Sequence, residues 1–374
     1  MRVILTGGGT GGHIYPAIAI GQAIQKKWPA CEILYVGTKN GLENKIVPEV
    51  GFPMAVFDVE GWQRKLSFQA IKAGWKAGKT YFKARKLLRE FSPQLVIGTG
   101  GYVCLPVVGA AAGLGIATLL HEQNAIPGLT NRLLAGRVNK ICLTFPESKK
   151  HFAEKLQKKL IVTGLPIRPG ILQVERKEGL AFFQLSPEKL TILGIGGSRG
   201  AQSINRAMLY VCHKFAGDAR VQIIHATGES GFAEFQQELR QAGISLGNNG
   251  NIIITPYLKE MEYALACADL CVARCGAAFL AEMTAKGLPG ILIPYPYAAE
   301  NHQEFNARAL VDQGAAEMIL DRELTGEGLF EKIEKMLFAP AARGKMALKS
   351  KQAGKAEAME QIMAVITKYL PEKN

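Results

Sequence analysis

A glycine-rich run that ends in a histidine lies near the start of the chain, between an apolar strand-like segment and an apolar helix-like segment. It consists of Gly7, Gly8, Gly9, Thr10, Gly11, Gly12 and His13. A turn of this kind presents bare backbone N–H groups at a helix N-terminus, which is a phosphate-binding geometry. The helix N-terminus also disfavours a charged imidazolium, so we expect the His13 ring to be neutral and able to accept a proton. The alternative for His13 is a simple cap or a phosphate donor.

The second half of the chain repeats this pattern. An apolar segment over 191–193 is followed by Gly194, Gly196, Gly197, Ser198 and Arg199, and a helix is predicted from about 201. One phosphate-type turn in each half predicts two α/β domains that face a shared cleft. Such a pair indicates two phosphorylated ligands, or two groups of one ligand.

Polar side chains follow two further apolar strands of the first half. Residues 98–102 form a glycine turn, and His121, Glu122, Gln123 and Asn124 come after the next strand. In a doubly wound sheet both segments lie at the carboxyl edge, where ligands bind. We expect Asn124 to contact a sugar or to hold His13, and Glu122 to be buried and structural.

The second half carries a single carboxylate, Glu282, about one turn into a helix that follows a small-residue turn. One carboxylate can accept hydrogen bonds from both hydroxyls of a ribose, which suits a sugar nucleotide; the alternative is a buried carboxylate paired with a nearby base. Asn301, His302 and Gln303 follow the next strand and suit sugar hydroxyls. No D-x-D motif or His/Asp metal set occurs near the glycine turns. We therefore expect helix N-termini to carry the pyrophosphate charge, with no metal and no cofactor.

The first turn also matches G-x-G-x-x-G through Gly7, Gly9 and Gly12. A dinucleotide site needs an acidic residue at the end of the second strand to bind the ribose hydroxyls. The predicted second strand instead ends in 37–39, which is Gly-Thr-Lys. This excludes a dehydrogenase as the preferred function.

Strands alternate with helices along both halves, which predicts two parallel sheets covered on both faces. Predicted strands are 2–6, 32–36, 54–57, 94–98, 116–120, 139–143, 160–163, 190–195, 221–226, 251–254, 269–273, 290–293 and 316–319. Predicted helices are 13–27, 42–50, 68–90, 103–113, 127–135, 147–156, 201–214, 230–241, 259–266, 277–286, 303–312 and 328–337. The Pro/Gly-rich segment 164–170 is the expected linker, and a last helical stretch over about 342–370 is expected to pack back on the first domain.

Charge is distributed unevenly along the 374 residues. The net charge of +13 belongs entirely to residues 1–165, because basic and acidic residues balance in the remainder. Within the segment 62–90, basic residues alternate with aromatic ones, a pattern that favours an anionic bilayer surface over nucleic acid. The alternative is a solvated basic helix. The uncharged run 95–120 contains six glycines and Pro106, so we interpret it as buried strands and a helix rather than a membrane span. The seven cysteines are expected to be buried apolar fillers.

Together these motifs resemble those of one family, the N-acetylglucosaminyltransferases that convert lipid I to lipid II in bacterial peptidoglycan synthesis. The resembling segments are 7–17, 98–102, 121–132, 164–168, 196–205, 274–289 and 300–307. The resemblance implies a GT-B fold with two Rossmann-like doubly wound domains. It assigns 1–163 to the acceptor and membrane, 164–341 to the UDP-sugar, and 342–374 to the returning helix. It further implies UDP-N-acetylglucosamine (UDP-GlcNAc) as donor, lipid I as acceptor, inversion to a β-1,4 linkage, and peripheral location at the cytoplasmic face of the membrane, with other cell-wall synthesis proteins as partners.

The resemblance also carries over site residues. Thr10, Gly11 and Gly12 match the loop for the acceptor pyrophosphate and the transferred sugar. The residues that match donor contacts are Asn124, Arg168, Ser198, Leu258, Ala277, Ala278, Phe279, Glu282 and Gln303. Among these, the resemblance implies that Leu258 meets the uracil through its backbone, that Ala277 to Phe279 line the diphosphate, and that Glu282 binds the ribose. It also implies that Gln303 binds the GlcNAc hydroxyls. Arg199 and Cys275 depart from the family pattern.

The expected mechanism is a single inverting displacement in which His13 is the general base and Asn124 places the substrate or the base. The helix after Gly196 and, in addition, Arg168 would stabilise the leaving diphosphate. Two other functions stay open at this point. One is another GT-B enzyme, such as a UDP-GlcNAc 2-epimerase. The other is a non-catalytic, nucleotide-dependent membrane-binding module.

Overall fold

In this computed structural model the described residues are 1–59, 68–168, 170–197, 200–246 and 250–370, with the backbone alone for 68–77. The chain divides into two compact units, each of which has its own parallel sheet. The first unit comprises Met1–Pro166 and Glu357–Asn374, and the second comprises Ile167–Ala356.

A seven-stranded parallel sheet forms the centre of the first unit. Its order is β3-β2-β1-β4-β5-β6-β7. The strands are β1 Arg2–Thr6, β2 Glu32–Thr38, β3 Met54–Phe57, β4 Leu95–Gly98, β5 Ala117–Glu122, β6 Lys140–Leu143 and β7 Leu160–Val162. The central strands are unbroken apolar runs because helices cover both faces of the sheet. This burial explains why the strands could be predicted from apolar runs.

The helices of the first unit follow the strands in turn. They are α1 Gly11–Lys27, α2 Glu43–Glu49, α3 Phe68–Phe91, α4 Cys104–Gly113 and α5 Leu129–Leu134. A late helix, Ala358–Thr367, returns to this unit and packs against α1. Its buried residues Ile362, Val365 and Ile366 join the core beneath β1. The chain therefore closes on the unit in which it began.

The second unit has a six-stranded parallel sheet of order β10-β9-β8-β11-β12-β13. Its strands are β8 Leu190–Ile195, β9 Val221–Ala226, β10 Ile252–Thr255, β11 Leu270–Ala273, β12 Gly290–Leu292 and β13 Ala316–Met318. Its helices are α6 Gly170–Gln173, α7 Arg176–Phe182, α8 Gln202–Phe215, α9 Glu229–Gln241, α10 Met261–Cys267, α11 Ala277–Lys286, α12 His302–Val311, α13 Gly326–Leu337 and α14 Pro340–Ala353; the returning helix is α15. Both units are thus doubly wound.

Three stretches differ from the sequence-based expectation. The segment predicted as one helix over 147–156 is instead two 3-10 helices, Pro146–His151 and Glu154–Lys159. The first ends at Phe152, whose backbone is extended (φ −111°, ψ 140°) and whose side chain is buried in the core. Helices α6 and α7 were not predicted; at the start of α7 the Glu175 N–H donates to Glu178 Oε2 at 2.7 Å.

The predicted helical stretch 342–370 is two helices that belong to different units. Helix α14 stays in the second unit, where Ser350 Oγ donates to the Leu288 carbonyl at 2.9 Å. The break falls at Gly354, because a side chain there would collide with the backbone of Thr284. The compact units change at 166/167 and at 356/357.

No helix in the described part of the chain is long and apolar enough to span a membrane. The uncharged run 95–120 consists of β4, α4 and most of β5, as predicted. All seven cysteines are buried and unpaired, which agrees with their expected role as apolar fillers.

Candidate functional site

The first candidate site lies where the strand order of the first unit reverses, between β1 and β4. The turns that follow these two strands touch each other: the Gly8 N–H donates to the Gly100 carbonyl at 3.3 Å. At Gly101, which has a φ of +84°, any side chain would overlap Gly8. Reversal points of this kind are where ligands bind in doubly wound sheets. The two glycine turns predicted to lie at one edge therefore form a single surface.

His13 lies in the first turn of α1 with its ring folded back onto the glycine turn. Its Nδ1 is 3.0 Å from the Gly8 carbonyl oxygen. A carbonyl oxygen can only accept, so Nδ1 carries the hydrogen and Nε2 is left as the proton acceptor. Nε2 lies beside Gly100, where a Cβ atom would be only 3.0 Å away, so a glycine is needed there to keep the ring in place. In this tautomer Nε2 carries the lone pair that can accept a proton.

Buried hydroxyl groups hold the first glycine turn in shape. Thr99 Oγ1 donates to the His13 carbonyl at 2.7 Å, and Tyr35 Oη donates to the Gly7 carbonyl at 2.7 Å. Burial raises the pKa of Tyr35, so this phenol remains a neutral donor. The turn is fixed before any ligand arrives.

Thr10, Gly11 and Gly12 form the outer part of this turn. No side chain caps helix α1, whose first turn therefore keeps exposed N–H groups. Among the described residues, none accepts a hydrogen bond from the N–H of Gly11 or Gly12. This geometry suits an anionic group, as the sequence predicted.

Glu43 is a residue of this region that sequence reasoning missed. Its side chain is 0% exposed and accepts hydrogen bonds from the Thr38 N–H at 2.8 Å, Thr38 Oγ1 at 2.7 Å and the Gly9 N–H at 3.2 Å. The sequence signal was an acidic residue a few positions past the second strand, beyond the strand end at which a ribose-binding acid is expected. Because this carboxylate is buried and used by the protein, it offers nothing to a ribose.

The four polar residues after β5 form a second buried network. Glu122 accepts from the N–H groups of Asn124 and Gly128, both at 3.0 Å, and from the Asn131 amide at 2.7 Å. Burial raises the pKa of Glu122. This confirms the expectation that Glu122 is structural. Asn124 is only partly buried, and its amide lies 3.4 Å from Glu122.

His121 is part of the same network rather than of the reactive surface. Its Nε2 donates to the Gly164 carbonyl at 2.9 Å, and Gln123 lies 3.1 Å from its Nδ1. Burial lowers the pKa of His121 to about 4. His121 is therefore a neutral, structural histidine.

The second candidate site lies at the corresponding reversal of the second unit, between β8 and β11. Helix α11 begins here after Gly276, and no side chain caps it. Ala277, Ala278 and Phe279 are its first three residues, so their N–H groups point out of the helix end. An uncapped N-terminus at the carboxyl edge is suited to a diphosphate. Ser198 and Arg199, in the turn after β8, lie outside the described residues.

Glu282 and Arg168 form a bidentate ion pair beside this helix. Arg168 Nε donates to Glu282 Oε1 and Nη2 donates to Oε2, each at 2.7 Å. The Glu282 residue is 7% exposed, whereas the Arg168 side chain is 49% exposed. The sequence left open whether Glu282 faces a ribose or pairs with a base, and the structure shows the pair. Each carboxylate oxygen retains a second lone pair, so the pairing still allows a ribose hydroxyl to donate.

Gln303 ties two turns of the second site together. Its Oε1 accepts from the Cys275 N–H at 3.0 Å and from the Tyr295 N–H at 3.1 Å. The amide nitrogen has no acceptor among the described residues, so it is the group that Gln303 can offer to a sugar hydroxyl. Glu300 and Asn301, just before α12, both have positive φ angles, a strained conformation that is common next to ligand sites.

Arg274 and Cys275 are structural in this site. Arg274 Nη1 donates to the carbonyls of Ile293 and Pro294 at 3.2 and 3.0 Å, and its guanidinium pairs with Asp321. Cys275 is fully buried, and burial raises the pKa of its thiol. The departure from the family pattern at Cys275 is therefore a buried filler.

Leu258 lies in the loop after β10. Its side chain is buried, and no hydrogen bond of the described residues uses its backbone N–H or C=O. Both groups are thus free to pair with the edge of a base, as the uracil contact requires. Across the described residues no cluster of three or more His, Cys, Asp or Glu is placed to hold a metal ion.

Family models match both units. The glycosyltransferase family 28 N-terminal domain matches residues 3–143, and the glycosyltransferase family 28 C-terminal domain matches residues 191–362. This chain belongs to glycosyltransferase family 28.

Family 28 relatives with a shared name cover the whole chain. A protein of Desulforamulus reducens is 52% identical over 373 residues, covering 100% of both chains. One of Desulfitobacterium hafniense strain DCB-2 is 49% identical and covers 98% of both chains. Each is named UDP-N-acetylglucosamine--N-acetylmuramyl-(pentapeptide) pyrophosphoryl-undecaprenol N-acetylglucosamine transferase. This family 28 chain therefore belongs among the lipid I N-acetylglucosaminyltransferases, as its motifs predicted.

Solved structures place this family 28 chain in the GT-B fold. A crystal structure of MurG from Acinetobacter baumannii is 28% identical with a TM-score of 0.80, and 98% of this chain and 99% of that one are covered. A UDP-GlcNAc 2-epimerase from Neisseria meningitidis bound to UDP-GlcNAc has a TM-score of 0.68 at 14% identity, with 98% and 100% covered. At that identity the epimerase shares the fold alone.

Proposed function

We propose that this protein transfers GlcNAc from UDP-GlcNAc to the C4 hydroxyl of MurNAc in undecaprenyl-pyrophosphoryl-MurNAc-pentapeptide, forming lipid II with inversion to a β-1,4 linkage. The observation that carries the proposal is the 52% identity, over the full length of both chains, to a protein named for this transfer. Two glycine turns, each at the reversal point of its own sheet, provide a separate anion-binding edge in each unit.

In the proposed mechanism His13 is the general base. The acceptor hydroxyl attacks the anomeric carbon of GlcNAc, and its proton passes to Nε2 of His13. The Nδ1 hydrogen bond to the Gly8 carbonyl supports this role, because it leaves Nε2 unprotonated. Asn124 places the substrate or the base, and the N–H groups of Gly11 and Gly12 bind acceptor phosphate.

The second unit stabilises the leaving UDP in this proposal. The diphosphate meets the N–H groups of Ala277 to Phe279 at the start of α11, as well as Ser198 and Arg168. Glu282 binds the ribose, the Leu258 backbone binds the uracil, and Gln303 binds the GlcNAc hydroxyls through its free amide nitrogen. The uncapped α11 and the unused Leu258 backbone groups support these assignments.

The test is UDP release from UDP-GlcNAc with and without a water-soluble lipid I analogue, with the sugar product identified by mass spectrometry. The proposal predicts UDP release only with the analogue, together with a β-1,4-linked disaccharide. A 2-epimerase would produce the epimeric sugar without the analogue. A non-catalytic module would release no UDP in either case. Each of these two outcomes would refute the proposal.

We further propose that the protein binds an anionic membrane surface at the cytoplasmic face through helix α3. Phe82 on this helix is 72% exposed, and Lys79, Lys83 and Lys86 are exposed near it. A bulky apolar ring among basic side chains suits lipid head groups. The Trp62 part of the predicted basic stretch lies outside the described residues.

Reversing Lys79, Lys83 and Lys86 to Glu should release the protein from anionic vesicles, since each basic residue near such a surface contributes about 1 kcal/mol. The matched control reverses Lys345, Lys349 and Lys351 on α14 of the second unit, which changes the net charge equally. Vesicle sedimentation measures both variants. Equal sedimentation of the two variants would rule out α3 as the membrane-binding element.

A further inference from the structure

We infer that Glu43 is a positioning residue that increases the basicity of His13 through the peptide group between Gly8 and Gly9. The inference rests on the proposed function, in which His13 is the general base. It concerns a buried carboxylate that none of the proposed substrate contacts uses.

The two ends of one peptide group connect the carboxylate to the imidazole. The Gly9 N–H donates to Glu43 Oε2 at 3.2 Å, and the Gly8 C=O accepts from His13 Nδ1 at 3.0 Å. This N–H and this C=O belong to the same amide plane. A negative charge at the N–H end polarises the amide and makes its oxygen a stronger acceptor, because hydrogen bonds in a chain reinforce one another. The stronger acceptor favours the positive charge that His13 gains when it takes a proton.

The surroundings of Glu43 hold its carboxylate in one place. Both oxygens accept: Oε1 from the Thr38 N–H and hydroxyl, and Oε2 from Gly9. Side chains at Gly8 or Gly37 would come within 2.6 Å of the Glu43 side chain, and one at Gly41 would overlap it. Gly8, Gly41 and Gly37, the last of these on β2, thus make room for one buried carboxylate.

The other titratable groups around the turn are neutral. Tyr35 on β2 donates to Gly7, and the Cys104 thiol on α4 bonds the Gly100 carbonyl. Burial raises the pKa of Tyr35, and burial raises the pKa of Cys104 to about 12. Among these groups Glu43 is the one that brings a charge. The negative charge of Glu43 counteracts the positive dipole end at the N-terminus of α1, which disfavours a proton on His13.

The experiment follows the His13 imidazole by NMR in the full-length protein without substrate, and follows the pH dependence of kcat in parallel. We expect Glu43→Gln to lower the His13 pKa, to move the acidic limb of the kcat profile to lower pH and to reduce kcat about tenfold, a loss typical of removing an outer partner of a histidine. The control, Thr38→Val, removes one hydrogen bond to Glu43 but keeps the charge. It should leave the midpoint of the His13 titration and the midpoint of the acidic limb of the kcat profile unchanged. Unchanged midpoints in Glu43→Gln, or equal shifts in both variants, would overturn the inference.

The parent protein supplies an independent test if Glu43→Gln does not fold. Nitrogen chemical shifts of neutral His13 should show the hydrogen on Nδ1, as the bond to the Gly8 carbonyl requires. A hydrogen on Nε2 would break the connection and overturn the inference. The imidazole measurements need no turnover. If Glu43→Gln shifts the His13 pKa but His13→Ala keeps its activity, the coupling between Glu43 and His13 stands. Only the assignment of His13 as the base is then rejected.

Discussion

The glycine turns of the first unit and those of the second unit lie at the same edge of the same kind of sheet, yet their side chains differ in chemistry. In the first unit the turn is tied to a histidine whose Nδ1 bonds the Gly8 carbonyl, so Nε2 is the ring nitrogen that can accept a proton. In the second unit the sheet edge combines the uncapped start of α11 with the Arg168–Glu282 ion pair. The histidine beside it, His225 next to Gly194, is buried, and burial lowers its pKa to about 4. Both units place an uncapped helix end at the sheet edge, and we expect the side chains to decide whether that edge can also move a proton.

Buried charge is also handled differently in the two units. Glu43 in the first unit is held by backbone and hydroxyl donors, so its charge acts on the turn beside it. Glu282 in the second unit is held by a half-exposed guanidinium, a partner that can move when a ligand competes for it. The first arrangement suits fixed positioning of a base, and the second suits reversible ligand binding.

The largest expected effect comes from His13→Ala. Loss of a positioned base typically costs about 10²–10⁴-fold in rate, so kcat with a lipid I analogue should fall within that range. The matched control is His213→Ala, which removes an exposed histidine on α8. A fall of less than about tenfold would remove His13 as the base. An unchanged kcat with a raised acceptor KM would make it a phosphate donor instead.

Glu282→Ala should weaken UDP-GlcNAc binding about tenfold or more, because charge-assisted hydrogen bonds contribute roughly 1.5–3 kcal/mol each. The matched control is Asp218→Ala. Asp218 also forms a bidentate pair, with Arg220, but it precedes β9 and so lies at the opposite edge of the sheet. Calorimetry with UDP, alongside circular dichroism, measures the effect. Equal UDP affinities of the two variants would reject the ribose assignment.

A smaller effect concerns stability in acid, to which each unit contributes one buried histidine. Burial lowers the pKa of His121 and of His225 to about 4 from an ordinary value of 6.5. The unfolded chain therefore binds more protons between these values, and stability should fall as pH drops from about 6.5 to about 4, by at most about 1.4 kcal/mol per pH unit for each histidine.

In the first unit the raised pKa of Glu122 favours the folded state at low pH and so offsets part of the effect of His121. His225 in the second unit therefore gives the clearer readout. Urea unfolding of His225→Leu between pH 7 and pH 4.5 should show a shallower pH dependence than the parent protein. The same slope in both proteins would mean that His225 does not titrate as described.

The strands and the two glycine turns were predictable because each depends on a few neighbouring residues. Apolar runs such as Val3–Leu5 are buried on both faces, and glycines are required where two backbones touch, as at Gly101. Glu43 was not predictable in the same way, since its role depends on α2 returning its carboxylate to a turn that lies 34 residues earlier. Likewise, the sequence could not decide between the two roles of Glu282, because its partner Arg168 lies 114 residues away.

In the proposed division of roles the first unit supplies the base and the second unit binds UDP. The most direct test of this division is the UDP-GlcNAc affinity of His13→Ala, measured by calorimetry on the full-length protein. We expect an affinity within about twofold of the parent, since His13 itself is not a proposed donor contact and the donor contacts expected in the first unit, Asn124 and Thr10 to Gly12, are not changed. A loss of tenfold or more with the fold intact would contradict this expectation, because His13 would then bind the donor itself.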